Sequence, residues 1–116
     1  MRRLLVVGSG GSLERAPGRR FVDSPNFPKE HLSDARAQVE ALELLRAEGG
    51  GLDWSYVSPP PVYLIDGERT GSYRVKAGDT PIHDEGTRIT VPDLAAAIVD
   101  ALEKGSFVRE RFTAGY

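Results

Sequence analysis

The chain has 116 residues, the size of a single domain, and its 15 basic and 17 acidic side chains give a net charge of −2. This balance argues against nucleic acid as an electrostatic partner. The absence of cysteine excludes disulfides and thiolate metal sites and favours a cytoplasmic location. We expect no metal site, because His31 and His83 are far apart in the sequence and neither has the spacing of metal ligands around it. We also expect no membrane partner, because no apolar run reaches the roughly 18 residues that span a bilayer.

The first half of the chain predicts one strand–helix–strand unit. Residues 4–7 are a continuous apolar run, typical of a central parallel strand that is buried on both faces and too short for a signal peptide. A helix is expected from an N-cap at Ser33 to Arg46, before three glycines, and residues 52–57 return to a strand. Because such crossovers join parallel strands, we predict that the two strands lie side by side and point the same way.

The remaining segments are predicted to be less regular. Residues 14–31 contain three prolines and are expected to lack regular structure, whereas 62–65, 72–75 and 88–90 predict short strands and 111–113 a final edge strand. The sequence from Thr90 to Asp93 fits a helix capping box. The second helix would end at Gly105 and carry an apolar stripe of Leu94, Ile98, Ala101 and Leu102.

Seven segments follow one another in a recognisable order: RLLVVGSGGS (3–12), EALELLR (40–46), LDWS (52–55), SPP (58–60), GERTGSY (67–73), RITVPDLA (88–95) and RFTAGY (111–116). This series resembles the second half of atypical short-chain dehydrogenase/reductases of the NAD(P)H-binding family, such as NADH-flavin reductases and biliverdin reductase B-like proteins. The resemblance covers nearly the whole chain. It implies an α/β, partial Rossmann-like fold: a βαβ unit with parallel strands and a small C-terminal β/α region, in one domain spanning 1–116.

The resemblance also implies that the N-terminal dinucleotide-binding half is absent. The family opens with a strand, a Gly-rich turn and a helix, whose N-terminal N–H groups hold the pyrophosphate. Gly8, Gly10 and Gly11 do not have the spacing of that turn, and no helix is expected directly after them. We therefore expect residues 1–116 to correspond to the C-terminal part of the Rossmann-type domain.

Two loops are the candidate cofactor site, because ligands of open α/β sheets bind beyond the carboxyl ends of the strands. The resemblance implies that both loops border the nicotinamide of NAD(P)H, with NADH or NADPH left open. Alternatively, small residues and prolines here only turn the chain. The candidate cofactor-binding residues are Gly8, Ser9, Gly10, Gly11, Ser12, Ser58, Pro59 and Pro60.

The catalytic candidates are Ser9 and Ser12, whose hydroxyls could bind a carboxamide or a substrate oxygen, and His31, which could donate a proton or be a solvated loop residue. Short-chain dehydrogenases often use a Tyr-x-x-x-Lys pair, and the nearest positions here hold Leu32 and Arg36. The expected function is therefore NAD(P)H-dependent hydride transfer to a small molecule, a flavin or quinone, which needs no strong protein acid. The alternatives are a non-catalytic NAD(P)-binding regulator and an epimerase/dehydratase-like protein.

The first strand leads to a further expectation about self-association. A strand that is apolar on both faces requires neighbours on both sides, and one βαβ unit with one more helix cannot cover such a sheet. An uncovered strand edge invites pairing with another chain. We expect residues 1–116 to be marginally stable or to self-associate through the exposed sheet edge.

Overall fold

Two helices and eight strands, most of the strands short, form the part of the chain that the computed structural model describes, which is residues 3–8, 10–16, 18–25, 27–60, 64–82 and 88–116. Three short 3-10 turns connect them, at Gly10–Ser12, Phe21–Asp23 and Lys29–His31. The elements in chain order are β1 (Arg3–Val7), β2 (Glu14–Ala16), β3 (Arg19–Arg20), α1 (Leu32–Glu48), β4 (Asp53–Ser58), β5 (Leu64–Ile65), β6 (Arg74–Ala77), β7 (Ile89–Thr90), α2 (Val91–Lys104) and β8 (Glu110–Gly115).

The main sheet has the strand order β1-β4-β8-β6. The strands β1, β4 and β8 are parallel, and β6 runs antiparallel to β8 at one edge. Arg3 is paired with Asp53 and Val7 with Val57, so the two strands of the predicted βαβ unit are adjacent and point the same way. This register confirms the parallel pairing and the α/β fold class.

The core lies on both faces of this sheet because successive side chains of a strand point to opposite sides. On one face Val57 and Phe112 pack with Leu94 of α2. On the other face Trp54 and Tyr56 pack with α1 through Leu42. Each fully buried side chain of this size stabilises the fold by about 1.5–3 kcal/mol. Trp54 and Tyr56 are therefore core residues.

The ends of the helices are partly as expected. Thr90 caps α2, its hydroxyl oxygen accepting from the Asp93 N–H at 3.3 Å, and Gly105 ends the helix with a left-handed φ of 63°. The N-cap at Ser33 is wrong, since His31 occupies that position, without a side-chain cap bond, and α1 begins at Leu32. The 3-10 turn before α1 runs directly into the helix, so no separate capping side chain is needed.

Residues 14–31 are more regular than predicted. Strands β2 and β3 form an antiparallel hairpin, and two of the 3-10 turns follow it. The prediction of an irregular segment is wrong for the hairpin, because none of the three prolines lies within β2 or β3. Gly18, with a φ of 73°, lies between the two strands, where a residue able to adopt positive φ allows the chain to reverse.

Two short strands are found near the expected positions, and two further expectations are corrected. Strand β5 (Leu64–Ile65) lies within the expected 62–65, of which residues 62 and 63 lie outside the described part, and β6 (Arg74–Ala77) begins two residues later than the expected 72–75. Strand β5 pairs with β7 and β6 with β8, so the two belong to different sheets. The segment 111–113 is not an edge strand, since β8 has a partner on each side. Leu102 is exposed and Ala97 is buried in its place, because the buried face of α2 is turned slightly from the predicted stripe.

The first strand is not central in this chain. Strand β1 lies at the edge of the main sheet, and Leu4 and Val7 are 41% and 52% exposed. The prediction that both faces of the strand are buried is therefore wrong for these 116 residues. The physical reason is that β1 has a neighbouring strand on one side only in the described part of the chain, so less of the molecule lies above and below it to cover its two faces.

Candidate functional site

The carboxyl ends of β1 and β4 lie side by side. The Gly8 N–H donates a hydrogen bond of 2.8 Å to the Val57 carbonyl, which extends the strand pairing by one residue. Beyond this point the hydroxyl oxygens of Ser12 and Ser58 are 3.4 Å apart. The structure thus brings together the two loops that the sequence marked as one candidate site. The cofactor-binding role of their residues remains a prediction.

Gly8 is required by its contact with Tyr56. A Cβ atom at this position would lie 1.9 Å from the Cζ atom of the tyrosine ring. The Tyr56 hydroxyl donates to the Gln38 carbonyl of α1 at 2.9 Å, so the ring cannot easily move away. The space beside Gly8 is therefore filled by a side chain of the protein, and packing alone explains the glycine.

Arg111 binds the loop that follows Gly8. Gly10, Gly11 and Ser12 are buried in their 3-10 turn. One guanidinium nitrogen of Arg111 donates to the Ser12 hydroxyl at 2.7 Å and to the Ser58 hydroxyl at 3.3 Å. A single side chain on β8 therefore joins both loops, and both hydroxyl oxygens already accept from it.

Arg111 is a buried cation whose carboxylate partner among the described residues is Asp79. It is only 2% exposed, and its second terminal nitrogen donates to the Asp79 carboxylate at 2.7 Å. Its Nε has no hydrogen-bond partner among the described residues. Burial lowers the pKa of Arg111, and Asp79 opposes this shift by stabilising the charged form. The arginine thus depends on Asp79 for its charge compensation.

Asp79 joins a buried and an exposed arginine. The same carboxylate oxygen that binds Arg111 accepts from Arg46 of α1 at 2.7 Å. The hydrogen bond from Arg46 lowers the pKa of Asp79 most strongly, burial raises it, and Arg111 lowers it further, so the pKa lies below its ordinary value. The backbone carbonyl of Asp79 accepts from the Glu14 N–H at 2.6 Å and fixes the start of β2.

A second polar cluster holds the loop between β5 and β6. The buried carboxylate of Asp93 accepts from the backbone N–H groups of Thr70 and Gly71, each at 3.0 Å, from the Thr70 hydroxyl at 2.6 Å and from the Tyr116 hydroxyl. Burial raises the pKa of Asp93, but the hydrogen bonds from Thr70, Tyr116 and Gly71 outweigh it and hold the pKa well below its usual range. The N-terminus of α2 thereby anchors both this loop and the end of β8.

The other candidate residues are distributed unevenly. Pro60 is buried and Pro59 half-buried at the end of β4, next to Ser58. His31 is exposed in the turn before α1, and its side chain makes no hydrogen bond with the described residues. Ser9 and His83 lie outside the described residues.

Sequence reasoning missed Arg111, Asp79 and Asp93 as structural polar groups. Arg111 was noted only as the first residue of a short edge strand. A usable signal was its position directly before the uncharged residues 112–115 of the same strand, where a charge needs a buried partner. The partner itself, 32 residues away, leaves no local trace in the sequence.

Two classes of site find no support in the described part of the chain. It contains no cluster of three or more His, Asp or Glu side chains placed to hold a metal ion. None of the described helices has the length and apolar character needed to cross a membrane.

Comparison with known proteins identifies the family. The sequence model for NAD(P)H-binding proteins matches residues 1–105. The chain belongs to the NAD(P)H-binding family. The resemblance seen in the order of its segments is confirmed by this match, and the sheet with its parallel β1, β4 and β8 agrees with the α/β fold of the similar solved structures.

This NAD(P)H-binding family chain spans about half the length of the three similar proteins that follow. It is 39% identical over 114 residues to the Bacillus subtilis protein YwnB, covering 96% of this chain and 53% of the relative. A solved structure from Bacteroides thetaiotaomicron, named a "putative epimerase", is 40% identical with a TM-score of 0.88, covering 100% of this chain and 54% of the other. A "putative NADH-flavin reductase" from Streptococcus pneumoniae is 38% identical with a TM-score of 0.85, covering 97% and 55%.

Proposed function

We propose that this chain forms the nicotinamide-facing part of an NAD(P)H-dependent oxidoreductase that transfers hydride to a flavin or quinone. The observation that carries the proposal is the meeting of two loops at the carboxyl ends of adjacent parallel strands, where Ser12 and Ser58 lie 3.4 Å apart. This is the edge of an open α/β sheet at which ligands bind. Membership of the NAD(P)H-binding family supports the nature of the ligand.

The groups left accessible at this edge suit a nicotinamide ring. Ser12 and Ser58 are buried and bound by Arg111, whereas Gly8 and Pro59 are half-buried and face outward in part. Glycine backbone and a proline ring offer a flat, uncharged surface on which an aromatic amide can pack. Bound NAD(P)H supplies the hydride, and the residues of this chain orient the ring.

Arg111 acts here as a positioning residue. Its bonds to Ser12 and Ser58 tie the two loops to β8, so that the distance between them does not have to be fixed when the ligand binds. Loops held in advance lower the entropic cost of aligning hydride donor and acceptor. The proposal assigns no acid–base role to this arginine.

Hydride transfer to a flavin or quinone is favoured over reduction of carbonyl compounds. The positions where a Tyr-x-x-x-Lys pair would lie hold Leu32 and Arg36, at the start of α1. His31, the other proton donor considered, is exposed in the preceding turn. A flavin or quinone accepts hydride without a strong protein acid beside it.

The second candidate function is that of an epimerase/dehydratase-like protein. It is favoured by the 40% identity to the Bacteroides thetaiotaomicron structure of that name. The missing Tyr/Lys pair weighs against it, because an epimerase of that kind needs a positioned acid and base. A non-catalytic NAD(P)-binding regulator is the remaining alternative, and a cytoplasmic location remains a prediction.

The test joins this chain to the N-terminal half of YwnB, the relative with 39% identity, because the chain spans about half of that protein. Titration with NADH and with NADPH measures binding, and loss of the reduced nicotinamide absorbance with flavins and quinones measures turnover. We expect binding of one of the two cofactors and turnover with flavin or quinone. Binding without turnover would support the regulator, and epimerisation of a sugar nucleotide would support the second candidate.

A further inference from the structure

A polar cavity lies in the hairpin that follows the candidate site. It has a volume of about 640 Å³, within the size range of small-molecule sites. Its charged lining residues are Arg15, Arg19, Arg20 and Asp23. The cavity is therefore lined by three arginines and one aspartate in a protein whose net charge is −2.

The positive charges of this cavity are only partly compensated. Arg20 forms a 2.8 Å ion pair with Glu43 of α1. Arg15 and Arg19 are exposed, and neither forms an ion pair or a side-chain hydrogen bond with the described residues. Asp23 is the only acidic residue among the described residues that line the cavity. Arg15 and Arg19 are therefore available to bind an external anion. Their planar guanidinium groups match the geometry of phosphate and carboxylate oxygens.

The cavity is attached to the candidate site through short backbone connections. Strand β2 begins two residues after Ser12, and the Leu13 between them is fully buried. The Phe21 N–H donates to the Leu13 carbonyl at 2.9 Å, and the Glu14 N–H donates to the carbonyl of Asp79 at 2.6 Å. The hairpin is thus fixed to the same polar network that holds the two loops.

We propose that the cavity binds a phosphate group carried by the hydride acceptor, so that flavin mononucleotide is preferred over riboflavin. The identity of the ligand as a flavin rests on the proposed function. The phosphate group is inferred from the charges of Arg15 and Arg19. The two flavins share the ring system and differ in the phosphate, so a preference between them reports on the anion alone.

The test measures the affinity of the 116-residue chain for each flavin through flavin fluorescence, without any nicotinamide. We expect flavin mononucleotide to bind about tenfold more tightly, as hydrogen bonds between charged groups would give. The double variant Arg15→Gln/Arg19→Gln should remove the preference. The matched control Arg88→Gln, an exposed arginine directly before β7 and outside the cavity, should retain it. Added salt should weaken the binding of flavin mononucleotide and leave the binding of riboflavin unchanged.

Three results would overturn the inference. The first is equal affinity of the chain for the two flavins, and the second is a preference for flavin mononucleotide that survives in the double variant. The third is displacement of flavin mononucleotide by NADPH but not by inorganic phosphate, because this would assign the cavity to a cofactor phosphate. Circular dichroism of both variants verifies that the exposed substitutions leave the fold intact. Because this assay measures binding and the chimera assay measures turnover, failure of the phosphate site and failure of the proposed function are distinguishable.

Discussion

Replacing Asp79 by alanine is expected to destabilise the fold more than removing the buried arginine that it binds. Arg111 is 2% exposed and has Asp79 as its carboxylate partner at 2.7 Å. Removing one member of a buried ion pair costs about 3–5 kcal/mol, because the other charge stays buried without compensation. The Asp79 side chain is 44% exposed, so water screens part of the interaction, and we expect about 2–3 kcal/mol for Asp79→Ala.

The substitution Arg111→Met removes the charge together with its need for a partner. Asp79 keeps its 2.7 Å bond to Arg46, and the hydroxyls of Ser12 and Ser58, 3.4 Å apart, can bond to each other. Methionine retains most of the buried aliphatic stem. We therefore expect a cost of about 1–2 kcal/mol, the loss of buried hydrogen bonds without an orphaned charge.

The matched control is Arg46→Gln, which removes the exposed partner of the same carboxylate. An exposed ion pair contributes about 0–1 kcal/mol, so this variant should be the least affected. Urea unfolding at neutral pH measures all three free energies of unfolding, and an unchanged slope with denaturant shows that the same transition is compared. The reasoning is refuted if Arg111→Met costs more than Asp79→Ala, or if Arg46→Gln costs as much.

Three further predictions concern other parts of the molecule. Gly8→Ala should lower the free energy of unfolding by about 1–3 kcal/mol in urea titrations, because its Cβ would overlap a fixed tyrosine ring, whereas Gly50→Ala, with open space around it, should have no comparable cost. Val7→Lys should weaken self-association, because it places a charge on the uncovered edge of β1. The melting temperature and the sedimentation coefficient should then depend less on protein concentration. A monomeric wild type with a concentration-independent melting temperature contradicts this. The urea midpoint should fall as the pH drops below about 4, the ordinary pKa of a carboxyl in the unfolded chain. Asp79 and Asp93 have lowered pKa values in the fold, so the unfolded chain binds more protons than the folded chain in this pH range. A midpoint that is constant down to about pH 3 would exclude this linkage.

The candidate site was predictable in outline but not in its chemistry. Small residues and prolines directly after two apolar segments mark the carboxyl ends of strands, and the meeting of Ser12 and Ser58 follows from parallel pairing. The sequence gives no indication that Arg111 would bind both hydroxyls, or that Tyr56 would occupy the space beside Gly8. These contacts join residues that are far apart in the chain, and no local pattern encodes them.

The sequence by itself determined the elements that depend on neighbouring residues: the apolar runs of β1 and β4, the cap of α2 at Thr90 and its end at Gly105. Propensity, capping and apolar periodicity act over a few residues and can be read without knowing the fold. Only the tertiary structure decided that β8 lies inside the sheet, that β5 and β6 belong to different sheets, and that Arg111 is buried with Asp79. Strand order and buried ion pairs depend on which distant segments meet, and that choice is made by the packing of the whole chain.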